Sequence, residues 1–469
     1  MTAASTPHPY MANSVDALKR EMLDAIGAES VADLFEQIPA DHRLRRPLNL
    51  PPSLSSESEL RRHLIAMLRK NQTCEANLSF LGAGCWQHHV PAVCDELVRR
   101  TEWLTSVFGS PMSDHGRNQA WFEFCSQIGE LVNMDMVGLP VYSWGCAVGH
   151  AIRMASRITG RHEVLIAGPA DPERLAVIRS YCEPSEMPGH IEAKLVGFDR
   201  RAGGIDLADL SGKLSSATAA VYFEVPSYLG MIEVQAAEIA RLGRAHGAET
   251  IVGVDPISLG VLAAPADYGA DIVVGTTQPL GVHMNCGGGV GGFIATRDEE
   301  VYAREYPSLM ISITDTVKEG EFGFGLSLFH QTSYGMRDKG KDWTGNSVYL
   351  WTIANAAYMA LLGPQGFADL GALIVERAHY AAALLARIPG VRIAFPSGFF
   401  KEFVVNFDGT GKSVADINRA LLARGIFGGK DLSAELPELG HSALYCVTEI
   451  HAEEDIERFA GALREVVAS

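Results

Sequence analysis

Between His162 and Thr296 the chain alternates two patterns. Short strand-like runs (EVLIAG, AKLVGF, AAVYFEVP, TIVGVDP, DIVVGT and GGFIAT) are separated by stretches such as QAAEIARLGRAHG, whose apolar positions recur every three or four residues. A short apolar run bounded by turn residues reads as a strand buried on both faces, and the longer period reads as a helix with one face on a core. Their alternation predicts a mostly parallel sheet covered by helices, an α/β fold. Upstream, to about Gly160, the pattern is mostly helical. Pro39, Pro47, Pro51 and Pro52 mark an extended connector, and in SSESELRRHLIAMLRKN the spacing of Ser56 and Glu59 predicts a capping box at a helix start. Downstream of Val348 come two long helical segments, LWTIANAAYMALLG and FADLGALIVERAHYAAALLARI, then an α+β tail with strands around VRIAF, EFVVNF and ALYCVT. The predicted organisation is a disordered tail and helix start over 1–25, a mostly helical segment over 26–160, a large α/β domain over 161–347 and a helical and α+β domain over 348–469.

Composition narrows the class of partner. Charged residues are 20 % of the chain and hydrophobic ones 47 %, which is too apolar for disorder and sufficient for substantial cores. A net charge of −17 argues against non-specific binding to nucleic acid or an acidic membrane and leaves small molecules and proteins as partners. No unbroken apolar run reads as a spanning helix, and the N-terminus has no apolar signal region, so a cytoplasmic protein is expected. The eight cysteines, at 74, 85, 94, 125, 146, 182, 286 and 446, contain no CxxC pair. They are expected to be reduced thiols, not a zinc site or a disulfide framework.

The chemistry is concentrated between Ile251 and Gly289, in IVGVDPISLGVLAAPADYGADIVVGTTQPLGVHMNCGGG. One strand ends on Asp255 and a second spans Asp271 to Gly275. The polar turn Thr276-Thr277-Gln278-Pro279 then leads to Gly287, Gly288 and Gly289. Ligands of such sheets sit beyond the carboxyl ends of the strands, where Asp255, Thr276, Thr277, Pro226 and Ser227 all lie. This stretch resembles the core of a fold-type I pyridoxal-phosphate (PLP) enzyme. The resemblance implies that Asp255 corresponds to the aspartate that holds the pyridine nitrogen, and that the turn after the second strand should supply the lysine that binds the cofactor covalently. Here Gln278 occupies that turn, and no lysine occurs between Lys213 and Lys318.

Four further segments make the resemblance narrower: SVADLFEQIPADHRLRRPLNLP, FLGAGCWQHHVPAV, YGADIVVGTTQPLG and GIFGGKDLSAELPEL, in that order. Together they resemble the P-protein of the glycine cleavage system, the decarboxylating glycine dehydrogenase, and in particular the alpha subunit, subunit 1, of its two-chain form. The similarity runs from about Ile26 to Val466. It implies a non-lysine-bearing subunit of a heteromeric PLP-dependent decarboxylase, with PLP carried covalently by a homologous lysine-bearing beta subunit. The implied reaction is decarboxylation of glycine with aminomethyl transfer to the lipoyl arm of the H-protein. Three loops depart from the family pattern: Tyr142 to Ala147 (YSWGCA), Pro226 to Gly230 (PSYLG) and Gly340 to Asn346 (GKDWTGN). Those departures point to a paralogue acting on another amino acid or amine, and a regulatory or scaffold subunit is the third reading.

Site residues follow with their alternatives. His88 and His89 lie after the small-residue loop LGAG, so they are candidate acid, base or carboxylate donors, or else one buried and one exposed histidine. Gly287, Gly288 and Gly289 either cradle a phosphate with backbone amides or make a tight turn. Lys341, with Lys339, either clamps a phosphate or carboxylate or is a solvated loop lysine. Asp255 is either a pyridinium partner or an inherited strand end. Cys85, Cys146 and Cys286 are candidate nucleophiles or inert thiols.

Overall fold

The structure, a computed structural model, describes residues 7–469 apart from 45, 47, 104–110, 285–290, 328–335, 337–339, 345–347 and 397, with side chains of 111–116 also undescribed. It divides into two units, Met1–Gln72 and Thr73–Ser469.

The first unit contains helices Asp16–Ala25 and Glu57–Leu68 and buries none of its described residues. Ser56 is the N-cap of the second helix, as its spacing predicts, but its hydroxyl makes no capping bond. Leu18, Met22, Ile26, Leu34, Phe35 and Leu64 are all exposed. A segment that buries nothing gains no hydrophobic stabilisation of its own.

The second unit opens on β1 (Leu78–Ser79). Its main sheet contains β2 (Met136–Val137), β3 (Glu163–Ala167), β4 (Glu192–Val196), β5 (Thr218–Val225), β6 (Glu249–Val254), β7 (Ile272–Thr276) and β8 (Gly292–Thr296), in the order β2-β8-β7-β6-β5-β3-β4. From β4 to β7 neighbouring strands are parallel, and β8 and β2 add antiparallel pairs at one edge. Strand periodicity sorts the side chains between two cores. Ile251, Ile272, Val274 and Tyr222 face the core under helix Trp144–Thr159, whereas Val252, Val254, Val273 and Phe223 face the opposite one. Each such side chain contributes roughly 1.5–3 kcal/mol by leaving water. Helix Trp144–Thr159, placed by sequence in a separate N-terminal segment, is thus a cover of this sheet.

β9 (Met310–Asp315) and β10 (Phe322–Ser327) form a hairpin. Helical residues Trp351–Leu385 follow, broken at Gly363, which has non-helical dihedrals, and at Pro364. By length and composition this run could cross a membrane, but it is two helices with Ile353, Ala354, Phe367 and Ile374 in a protein core. The C-terminal sheet has the order β11-β12-β15-β14, with β11 Arg392–Ile393, β12 Glu402–Asn406, β14 Lys430–Asp431 and β15 Ser442–Cys446. β13 (Ile426–Phe427) pairs with β1, which joins residues far apart in sequence. A third core, including Phe399, Phe403, Tyr445 and Phe459, lies on this sheet.

Because the three cores lie within Thr73–Ser469, a chain truncated to 73–469 is expected to unfold cooperatively, with a midpoint within about 3 °C of the full chain. Failure of the truncated chain to show a thermal transition would contradict this.

Candidate active site and its internal closure

The carboxyl ends of β5, β6 and β7 place Pro226, Asp255 and Gln278 along one edge of the sheet. Asp255 caps the turn after β6: its Oδ1 accepts from the Ile257 N–H at 3.1 Å. Its Oδ2 lies 2.7 Å from Lys401 Nζ, and both side chains are only 3 % exposed. The ammonium meets Oδ2 without hydrogen-bond alignment, so the contact is chiefly ionic. Lys401 directly precedes β12, so the pair joins the end of the main sheet to the C-terminal sheet.

Lys401 has two more partners. Its Nζ is 3.0 Å from His88 Nε2 and 3.5 Å from the centroid of the Trp86 ring, a cation–π contact. An ammonium only donates, so His88 Nε2 accepts and the ring proton sits on Nδ1, 2.7 Å from Glu449 Oε2. The other Glu449 oxygen accepts from the His89 N–H at 2.7 Å. Burial pushes the Glu449 carboxyl up, but hydrogen bonds from the His88 ring and the His89 N–H hold it below the usual carboxylate range. The result is a buried chain, Glu449 to His88 to Lys401 to Asp255, that crosses between sheets.

Gln278 is buried and works as a clamp. Its Oε1 accepts from the Trp86 N–H at 3.3 Å, while its Nε2 donates to the carbonyls of Trp86 and Val282, both at 3.2 Å. A lysine could not do this, because it has no acceptor. The Trp86 loop is thereby fixed over the strand end, and the Trp86 ring stands 6.1 Å from that of Trp144. Trp144 in turn stacks under Arg174, whose guanidinium is 4.0 Å from the ring centroid. Arg174 makes a two-point contact with Glu224 at 2.8 and 2.9 Å and a third with Asp171 at 3.0 Å. Burial works against its charge, yet the two carboxylates raise its pKa above the usual range. Trp86, Trp144, Arg174, Tyr228, Asp255 and Lys401 enclose a cavity of about 10 Å³. That is about one water-sized probe.

Glu402, next to Lys401, is fully buried. Burial pushes its carboxyl up to about 7, against the lowering effect of the Ala83 N–H, which donates to it at 2.5 Å. Gly82 permits this approach: a Cβ there would lie 2.2 Å from Glu402 Oε1. On the other side Gly230 has φ +83°, and a Cβ would lie 1.9 Å from the Glu402 carbonyl oxygen.

The chain matches the glycine cleavage system P-protein family over residues 10–463. It belongs to that family. A relative from Staphylothermus marinus, named probable glycine dehydrogenase (decarboxylating) subunit 1, is 35 % identical over 98 % of both chains. A Desulfitobacterium hafniense protein of the same name is 34 % identical, covering 97 % of this chain and 99 % of the relative. A solved structure of glycine decarboxylase (P-protein) in inhibitor-bound form superposes with TM-score 0.86 and 33 % identity, over 98 % of this chain and all of the other. A sphingosine-1-phosphate lyase from Burkholderia pseudomallei, at TM-score 0.65 and 15 % identity, shares the fold. The fold is that of the fold-type I PLP-dependent enzymes, as the segment around Asp255 implies.

PLP itself does not fit between Asp255 and Gln278 of this P-protein-family chain. The carboxylate that would face a pyridine nitrogen already faces Lys401, and Gln278 cannot form a Schiff base. The structure gives the expected site residues the following surroundings. His88 has both ring nitrogens engaged, by Glu449 and Lys401, and its side chain is 2 % exposed. His89 takes part only through its backbone, and its side chain is exposed. Lys341 donates to the Arg304 carbonyl at 3.0 Å and contacts the Glu305 carboxylate, so its charge is already paired. Gly287, Gly288, Gly289, Lys339 and Cys286 lie outside the described residues. Trp144 and Tyr228, whose loops suggested another substrate, are buried and fill this chain's own pocket. Lys401, Glu402 and Glu449 carry the site and were missed. The available signal is a Lys-Glu pair set inside the apolar run FFKEFVV, where a charge is bound to be buried.

The sign of the Glu402 effect is fixed by its raised pKa. The folded chain holds this proton to about pH 7 and the unfolded chain releases it near 4.5, so stability falls as pH rises between those values. Glu402→Gln is expected to match the wild-type chain near pH 4.5 and exceed it at pH 8 by on the order of 1–3 kcal/mol in urea unfolding. Equal loss at both pH values would contradict the buried, protonated carboxyl.

Proposed function

We propose that this chain is the cofactor-free subunit of a two-chain glycine decarboxylase, with PLP bound covalently by a lysine-bearing partner of the same fold. The observation that carries this reading is Gln278, buried and fully hydrogen-bonded where the fold would need its lysine. Relatives matched over nearly their full length are named subunit 1, which supports a partner subunit. The exposed apolar residues of the first unit, Leu18, Met22 and Ile26 among them, provide surface of the kind an obligate partner covers.

In this reading glycine is the substrate and the lipoyl arm of an H-protein takes the aminomethyl group. When bound, PLP supplies an electron sink for the carbanion left by loss of CO2. This chain supplies a wall in which Asp255 and Gln278 are already engaged, so the chemistry is left to the partner's pocket. The burial of Trp144 and Tyr228 removes the reason to infer a different substrate from those two loops. We place the pair in the cytoplasm, where the seven described cysteine thiols would stay reduced.

The test is reconstitution. This chain and the lysine-bearing homologue from the same organism, mixed with H-protein and PLP, are expected to exchange bicarbonate with the glycine carboxyl about 10²-fold faster than either chain alone. Exchange supported only by another amino acid would identify a paralogous substrate. A stable complex whose rate equals that of the partner alone would make this chain a scaffold.

A further inference from the structure

We infer that Lys401 is a built-in substitute for the cofactor's ring nitrogen, so that the inherited pocket of this chain is a permanent seam between its two sheets. The inference deepens the proposed function, which leaves open whether this chain could still hold free PLP.

The argument begins with the cost of burial. An unpaired ammonium or carboxylate in a protein interior is strongly unfavourable. Asp255 and Lys401 are each 3 % exposed and 2.7 Å apart, so each is tolerated because of the other. The ammonium can donate three times, and three partners surround it: the Asp255 carboxylate, His88 Nε2 and the Trp86 ring face. An incoming pyridine nitrogen facing Asp255 would have to displace that charge.

The surroundings hold those partners in place. Gln278 fixes the Trp86 backbone at both its N–H and its carbonyl, and Glu449 fixes His88. Arg174 and Glu224 fill the neighbouring side against Trp144. Asp255 ends β6 in the main sheet, and Lys401 begins the C-terminal sheet at β12. The pair therefore ties together two units of packing that have separate cores. Among the described residues the cavity beside Asp255 and Lys401 is about 10 Å³, and a separate pocket of about 220 Å³ adjoins it at Trp144 and Arg174.

The test is a double-mutant cycle on the full chain alone, read by thermal unfolding with and without 1 mM PLP, roughly a thousandfold above a tight cofactor's dissociation constant. Lys401→Met and Asp255→Asn are each expected to lower the midpoint by about 5 °C, because each strands one buried charge. The double variant is expected to recover to within about 2 °C of the wild type, since no charge is then left unpaired. PLP is expected to leave the wild-type midpoint unchanged. Additive losses in the double variant, or single variants as stable as the wild type, would overturn the inference. So would a PLP-dependent rise of the wild-type midpoint that Asp255→Asn abolishes, which requires no variant lacking Lys401 to fold. Loss or retention of glycine exchange in the reconstituted pair does not enter any arm, so failure of the proposed function and failure of this inference are distinguishable.

Discussion

A carboxylate at the end of a strand buried on both faces requires a cation, and in this chain Lys401 provides it. Much of the site's arrangement follows from that requirement. The lysine comes from the start of β12, so the C-terminal sheet is drawn down onto the main one. Its ammonium needs further partners, which are the Trp86 face and His88, and both belong to the loop that Gly82 allows to pass close to Glu402. His88 in turn holds Glu449, and Gln278 holds Trp86. Gln278 after β7 and Lys401 before β12 thus both act on Trp86.

The fold was legible where a single physical signal decides it. The apolar runs of β5, β6 and β7 alternate between two cores because every second side chain faces the same way, and that is visible in the residues themselves. The break between the two long helical segments was also legible, since Gly363 and Pro364 stand in the sequence. The pairing of β1 with β13 was not. It joins residues nearly the whole chain apart through two residues each, and no periodicity reports such a contact. The position of helix Trp144–Thr159 was misplaced for a related reason. An amphipathic helix announces a buried face but not which sheet it covers.

The candidate site was half legible. Asp255 and Gln278 sit in a recognisable strand-turn context, so the missing lysine could be read directly. Lys401 could not be assigned in this way, because its partner is 146 positions away and only folding brings the two together. The same separation hid Glu449 from His88. Trp144 and Tyr228 were read as changes to a substrate pocket because bulky residues in glycine-rich loops normally alter ligand shape. In the folded chain both are buried and line the cavity beside Asp255. Lys341 was singled out for its glycine-containing loop, and Glu305 on a neighbouring segment already balances its charge.

The central claim is that the chemistry of this P-protein-family chain depends on a cofactor it does not itself carry. The most direct measurement is borohydride reduction of the two-chain complex with PLP, followed by peptide mapping of both chains. The account predicts one pyridoxyl group for each pair of chains, on the partner's lysine, with no stoichiometric label on any lysine of this chain, Lys318, Lys341 and Lys401 included. Stoichiometric labelling of one of those lysines would contradict it.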